Sequence, residues 1–220
     1  MPGVLPGSYL VANNHETAGA CLRWLRDQVV ASMPGTARPG FEALCELAAT
    51  APPGAGDVLF TPWLAGERSP VDDRNARAGF HNLSLRADLA AMTRAVLEGV
   101  AYNNRWLHEA VERFAGRRFE AIRVFGGGAL SDLWCQIHAD VMDRVVERIA
   151  DPMHVNLRGA AILAGIALGD VSPAQAGELA VVDTTFRPDP ANRAAYDRLY
   201  AEFPGLYKSQ KPMFARLART

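Results

Sequence analysis

Residues 121–140 read Ala-Ile-Arg-Val-Phe-Gly-Gly-Gly-Ala-Leu-Ser-Asp-Leu-Trp-Cys-Gln-Ile-His-Ala-Asp. The apolar run over 122–125 predicts a buried strand, broken at once by Gly126, Gly127 and Gly128. Either Ser131 or Asp132 can cap a following helix whose apolar face is Leu133, Ile137 and Val141. Strand, glycine turn and helix N-terminus form a place where backbone approaches a ligand closely. Glycine carries no Cβ to block the approach, and the first helical turn offers N–H groups to an anion or polar ligand. By itself the stretch leaves a ligand cradle and a simple bend both open. It is not a Walker A loop, because no Gly-Lys-Ser/Thr follows, and it lacks the GxGxxG spacing of the dinucleotide fingerprint.

Upstream, apolar residues recur at helical spacing over 85–114, with Gly99 inside the pattern and Gly116 closing it. A glycine there costs about 1 kcal/mol relative to alanine, so it marks close helix packing. Downstream, 145–149 predicts a strand. The small-residue run over 157–168 predicts a helix whose Gly159, Ala160, Ala161 and Ala164 let it pack tightly on a neighbour. Farther out, 8–12 reads as a short strand, 17–31 and 41–49 as helices, and 58–63 as a strand. Residues 64–82 read as a long structured loop. A last helix runs from 191 to about 203 and resumes near Pro212. The pattern is mixed α/β.

The rest of the composition narrows the function. The chain has 220 residues, 49% hydrophobic and 21% charged, with a net charge of −1, which provides no field for nucleic acid or an anionic membrane. No run of about 18 apolar residues or signal peptide is evident, and three widely spaced cysteines argue for a reducing, cytoplasmic setting. The five histidines show no ligand spacing and read as structural or surface residues. Glu67-Arg68 reads as a solvated pair shaping its loop, Asp72-Asp73 as a turn-forming pair, and the four tryptophans as core anchors.

Several segments fall in an ordered series: Leu-Phe-Thr-Pro-Trp-Leu-Ala-Gly-Glu-Arg-Ser-Pro at 59–70, Arg-Ala-Val-Leu-Glu-Gly-Val-Ala at 94–101, Gly-Gly-Gly-Ala-Leu-Ser-Asp-Leu-Trp at 126–134, Ala139-Asp140, and Gly159-Ala160-Ala161. The series resembles the C-terminal domain of the FGGY carbohydrate kinases, in their xylulokinase-like form, over nearly the whole chain. The resemblance implies an actin-like ATPase fold of ribonuclease H type, one C-terminal half of a two-domain sugar kinase. Residues 1–7 and about 205–220 would be peripheral, and the N-terminal sugar-binding domain absent.

The resemblance also implies a site. The glycine turn would hold the adenosine part of ATP or ADP, with Mg²⁺ held mainly through the nucleotide. The nucleotide-binding residues would be Gly126, Gly127, Gly128, Ala129, Ser131 and Asp132, with Ser131 near the adenine and Gly159-Ala160-Ala161 packed behind. The family's catalytic aspartate and its Gly-Thr-Ser-type phosphate loop would precede residue 1, so no catalytic residue is assigned here. The expected function is ATP-dependent phosphoryl transfer to a sugar or polyol hydroxyl, with this half inactive alone. A non-catalytic nucleotide-binding or regulatory/interaction module derived from such a kinase is the alternative, and a purely structural glycine turn a third reading. An isolated half would expose an apolar patch and self-associate or require a partner half.

Overall fold

The computed structural model describes residue 3, residues 7–32, residue 35 and residues 37–218. The expected boundary role of residues 1–7 therefore lies largely outside the described residues. The helix α3, Leu89–Ala115, is the spine of the molecule. Asp88 starts it, its carboxylate accepting the Ala91 N–H at 2.8 Å, and Gly116 ends it in the left-handed region at φ 65°. From Ala90 to Asn103 nearly every side chain is buried, so this half is enclosed by neighbours on all sides. Those neighbours are α2 (Phe41–Ala49), the two-stranded antiparallel sheet of β1 (Leu59–Thr61) and β2 (Gly79–His81), α4 (Asp132–Met142) and α7 (Arg193–Leu217).

A buried polar strut ties α3 to α7 and to the segment that follows α2. Glu98 accepts hydrogen bonds from Arg94 at 2.7 Å, from the Gly54 N–H at 3.0 Å and from the Tyr196 hydroxyl at 3.0 Å. Arg94 also donates to the Ala51 carbonyl at 3.0 Å. Burial pushes the Glu98 carboxyl up to about 7 even against the pull of Arg94.

The second sheet is β3 (Ala121–Val124), β4 (Val145–Ile149) and β5 (Val182–Phe186). β3 and β4 are parallel and joined through α4, while β5 runs antiparallel to β4. Ala129, Cys135, Ala139 and Val146 form the small core between α4 and this sheet. The chain finishes with α5 (Val155–Leu168) and the short α6 (Pro173–Glu178) ahead of β5, then α7.

Several expectations need correction. Residues 8–12 join none of the strands, and Tyr9, Leu10 and Val11 are exposed. The helix expected over 17–31 begins at Gly19 and widens into a π-helical stretch, Leu25–Val30. The loop over 64–82 contains β2, while α6 and β5 gave no signal read from the sequence. The last helix does not break. It runs through Pro204 and Pro212, and its segment beyond residue 205 is not peripheral, because Tyr207 and Phe214 are buried with Phe203 around Trp63. Aromatic burial there offsets the roughly 3 kcal/mol that a proline costs inside a helix.

The largest departure is α5. None of its residues is buried, and Leu157, Leu163 and Leu168 face solvent. Gly159-Ala160-Ala161 therefore packs behind no site among the described residues. A Cβ at Gly159 would meet nothing within 4 Å.

Candidate functional site

The glycine turn is built as the sequence predicts, but its three glycines do different jobs. Gly126 has φ 86° and ψ −174°, a conformation open essentially to glycine, and its N–H donates to the Pro152 carbonyl at 2.8 Å. Gly128 packs flat, so a Cβ there would press on the Trp134 ring at 3.2 Å. At Gly127 a Cβ would meet only the Met153 sulfur, at 4.0 Å. Of the three, Gly127 is the one whose missing side chain leaves room beside an open surface without any demand from its own backbone.

From Gly127 to Leu130 the chain makes one 3₁₀ turn, then Ser131 caps α4 by accepting the Trp134 N–H at 3.2 Å. Of the two candidate caps, Ser131 takes the role and Asp132 is the first helical residue. Asp132 instead pairs with Arg148 at 2.5 Å. Arg148 also bonds the Ala129 carbonyl at 3.4 Å and reaches Asp183 and Thr184 on β5, so one guanidinium braces the turn from behind. Ala129 is buried, and its N–H closes onto the Gly126 carbonyl at 3.1 Å.

This turn forms one wall of a groove of about 1330 Å³. The facing wall comes from α1 (Gly19–Trp24) and α2, including Arg23, Phe41, Glu42 and Cys45. Burial raises the Cys45 thiol above its ordinary range, and Ser131 opposes that rise. Trp134 fixes the floor, its indole N–H donating to the Leu97 carbonyl at 3.0 Å. His138, also lining the groove, donates from Nδ1 to the Trp134 carbonyl at 2.8 Å and accepts from Asn104 at Nε2 at 2.9 Å. Burial holds its imidazole below the ordinary value, so it is neutral.

Five of the six residues expected at the site, Gly127, Gly128, Ala129, Ser131 and Asp132, line one edge of this groove, whereas Gly126, which opens the turn, is not part of its lining. Glu67 and Arg68 do not form the solvated pair expected of them. Glu67 is 1% exposed and accepts from His15, Asn103 and the Glu16 and Arg68 N–H groups, whereas Arg68 pairs with Glu16. Sequence reasoning missed this cluster because its members lie far apart in the chain. Among the described residues no group of three or more His, Cys, Asp or Glu could hold a metal ion, and no helix is long and apolar enough to cross a membrane.

Residues 2–168 match the model of the FGGY family of carbohydrate kinases, C-terminal domain. The chain belongs to that family. An FGGY relative, the xylulose kinase of Staphylococcus epidermidis, is 33% identical over 217 residues, covering 97% of this chain but 42% of its own length. The gluconokinase of Bacillus subtilis is 29% identical over 215 residues. The crystal structure of ligand-bound xylulose kinase from Lactobacillus acidophilus superposes with a TM-score of 0.79 at 26% identity, covering 92% of this chain and 40% of that one. The fold is thus the actin-like ATPase fold of FGGY kinases, and the chain spans about two fifths of the length of the relatives it matches.

Proposed function

We propose that the chain is the nucleotide-binding part of an ATP-dependent, xylulokinase-like carbohydrate kinase. ATP or ADP lies in the groove against the glycine turn, with Mg²⁺ carried on its phosphates. The observation that carries this reading is the open position at Gly127, where backbone rather than a side chain borders the groove. The first turn of α4 presents its N–H groups from the same edge, next to the Ser131 cap.

Phosphoryl transfer depends on positioning and on neutralising charge from both sides of the transferring group. This chain contributes one side. The site that holds the sugar's acceptor hydroxyl and the base that takes its proton belong to the remaining length that relatives carry, and closure of the two parts excludes water. The relatives bear the names of different acceptors, xylulose among one and gluconate among another, so the nucleotide half is the shared component.

Calorimetric titration with ADP and Mg²⁺ tests the reading. Wild-type protein is expected to bind, and Gly127→Val to lose binding at least tenfold while melting within a few degrees of wild type. Absence of heat at millimolar ADP would refute it. In a coupled ADP-release assay with D-xylulose, other pentuloses and polyols, the 220-residue chain is expected to show no turnover alone.

A further inference from the structure

Met153 lines the groove beside the glycine turn and, at 55%, is the most exposed methionine among the described residues. The backbone beneath it is held in place. The segment between β4 and α5 is stapled to the glycine turn by the Gly126 N–H, which donates to the Pro152 carbonyl at 2.8 Å. The His154 N–H closes onto the Asp151 carbonyl at 3.1 Å, and Arg158 donates to the Ala150 carbonyl at 2.7 Å.

This anchoring puts the Met153 sulfur 4.0 Å from the point where a Cβ would stand at Gly127. Beyond the neighbours of Gly127 in the chain, no other heavy atom comes within that distance. Whatever fills the space that Gly127 leaves open therefore meets peptide backbone on one side and a thioether on the other. Phe125 and Leu130, both exposed, line the same groove, so this corner is apolar. The charged side chains Arg23 and Glu42 stand on the facing wall.

The parts of a nucleotide differ in what they gain here. A phosphate would give up hydration and receive no donor, because a thioether sulfur is only a weak acceptor. The face of a purine gains dispersion and a sulfur–aromatic contact, and an unbranched side chain with three rotatable bonds can settle on it. We infer that Met153 is a base-contacting residue, its sulfur and methyl group closing over the planar heteroaromatic base that Gly127 admits. The inference rests on the nucleotide reading above and assigns the apolar corner of that groove to the base rather than to the phosphates.

The 220-residue chain labelled with [methyl-¹³C]methionine carries six methyl probes, and Met153→Leu identifies the one that matters. Titration with ADP and Mg²⁺ is expected to shift the Met153 methyl resonance upfield through the ring current of the base. Ribose 5-phosphate and pyrophosphate, which lack a base, are expected to leave it in place. By calorimetry, Met153→Ala is expected to weaken ADP binding roughly fivefold, the scale of one sulfur–aromatic contact with its apolar area. Met153→Leu keeps the apolar volume and is expected to recover most of that loss. Because the side chain is exposed, both variants should melt as wild type does. ADP that binds with its usual heat but leaves the Met153 methyl unmoved would overturn the inference and spare the nucleotide reading. So would a shift reproduced by pyrophosphate, or wild-type affinity in Met153→Ala. Wild-type protein that takes up no ADP would overturn both.

Discussion

Gly99 of α3 lies directly against the backbone of Phe60 in β1: a methyl group at Gly99 would overlap the Phe60 carbonyl oxygen and press on its carbonyl carbon and Cβ. Backbone cannot swing aside as a side-chain tip can, so helix and strand approach this closely only because the residue is glycine. Gly99→Ala should gain up to about 1 kcal/mol of helix propensity and lose more to overpacking, which typically costs about 1–3 kcal/mol. Urea denaturation is expected to show a net loss. A variant as stable as wild type would disprove the close contact.

Gly128 and Gly127 are adjacent yet predict opposite phenotypes. Gly128→Val drives a side chain into Trp134, which is pinned through its indole N–H to Leu97. It is expected to lower the melting temperature by several degrees and to shift tryptophan fluorescence in the absence of any nucleotide. Gly127→Val should leave the fluorescence of the free protein unchanged. Matching spectra for the two variants would contradict the division of labour within the turn.

Glu67 anchors the segment around residue 15 to the middle of α3. Burial disfavours its charge, but hydrogen bonds from His15, the Arg68 N–H and Asn103 outweigh that and hold the carboxyl below its ordinary value. Glu67→Ala leaves several buried donors without an acceptor. Hydrogen bonds to a charged group contribute about 1.5–3 kcal/mol each, so a loss of roughly 3 kcal/mol is expected in equilibrium unfolding. A loss under about 0.5 kcal/mol, typical of a surface position, would indicate that the cluster is solvated.

Glu112 provides a pH signature. Burial opposes its charge, yet Arg144 at 2.7 Å and the Phe119 N–H at 2.8 Å pull the carboxyl down from 4.5 to about 2. The folded state therefore releases this proton more readily than the unfolded one. Its contribution is fully present above pH 4.5 and is lost as pH falls towards 2. Glu112→Gln should flatten the stability profile over that window. An unchanged acid limb would place the protective carboxylate elsewhere.

Much of the fold was legible along the chain because its determinants are local. The bounds of α2 (Phe41–Ala49) and β4 (Val145–Ile149) follow from apolar periodicity and flanking Pro and Gly, and Gly116 and Gly169 stop their helices in the left-handed region. Elements that depend on distant partners were not legible. β5 alternates half-buried and exposed residues and pairs only through β4, while α7 survives two prolines because Trp63 lies far upstream to receive its aromatic rings. Glu67 looked like surface charge because three of its donors come from residues 15, 16 and 103.

The sequence by itself determined the strand, glycine turn and capped helix at 121–140, and the ordered motifs that mark an FGGY kinase domain, since both are written in contiguous residues. Only the tertiary structure decided which glycine borders open space and which supports Trp134. Only it showed that Arg148 braces the turn, that α5 has no fully buried residue, and that β3 pairs with β4 alone among the described residues. Whether a residue faces a groove, a ring or solvent is set by what packs opposite it, and that partner is brought there by the fold rather than by its place in the chain.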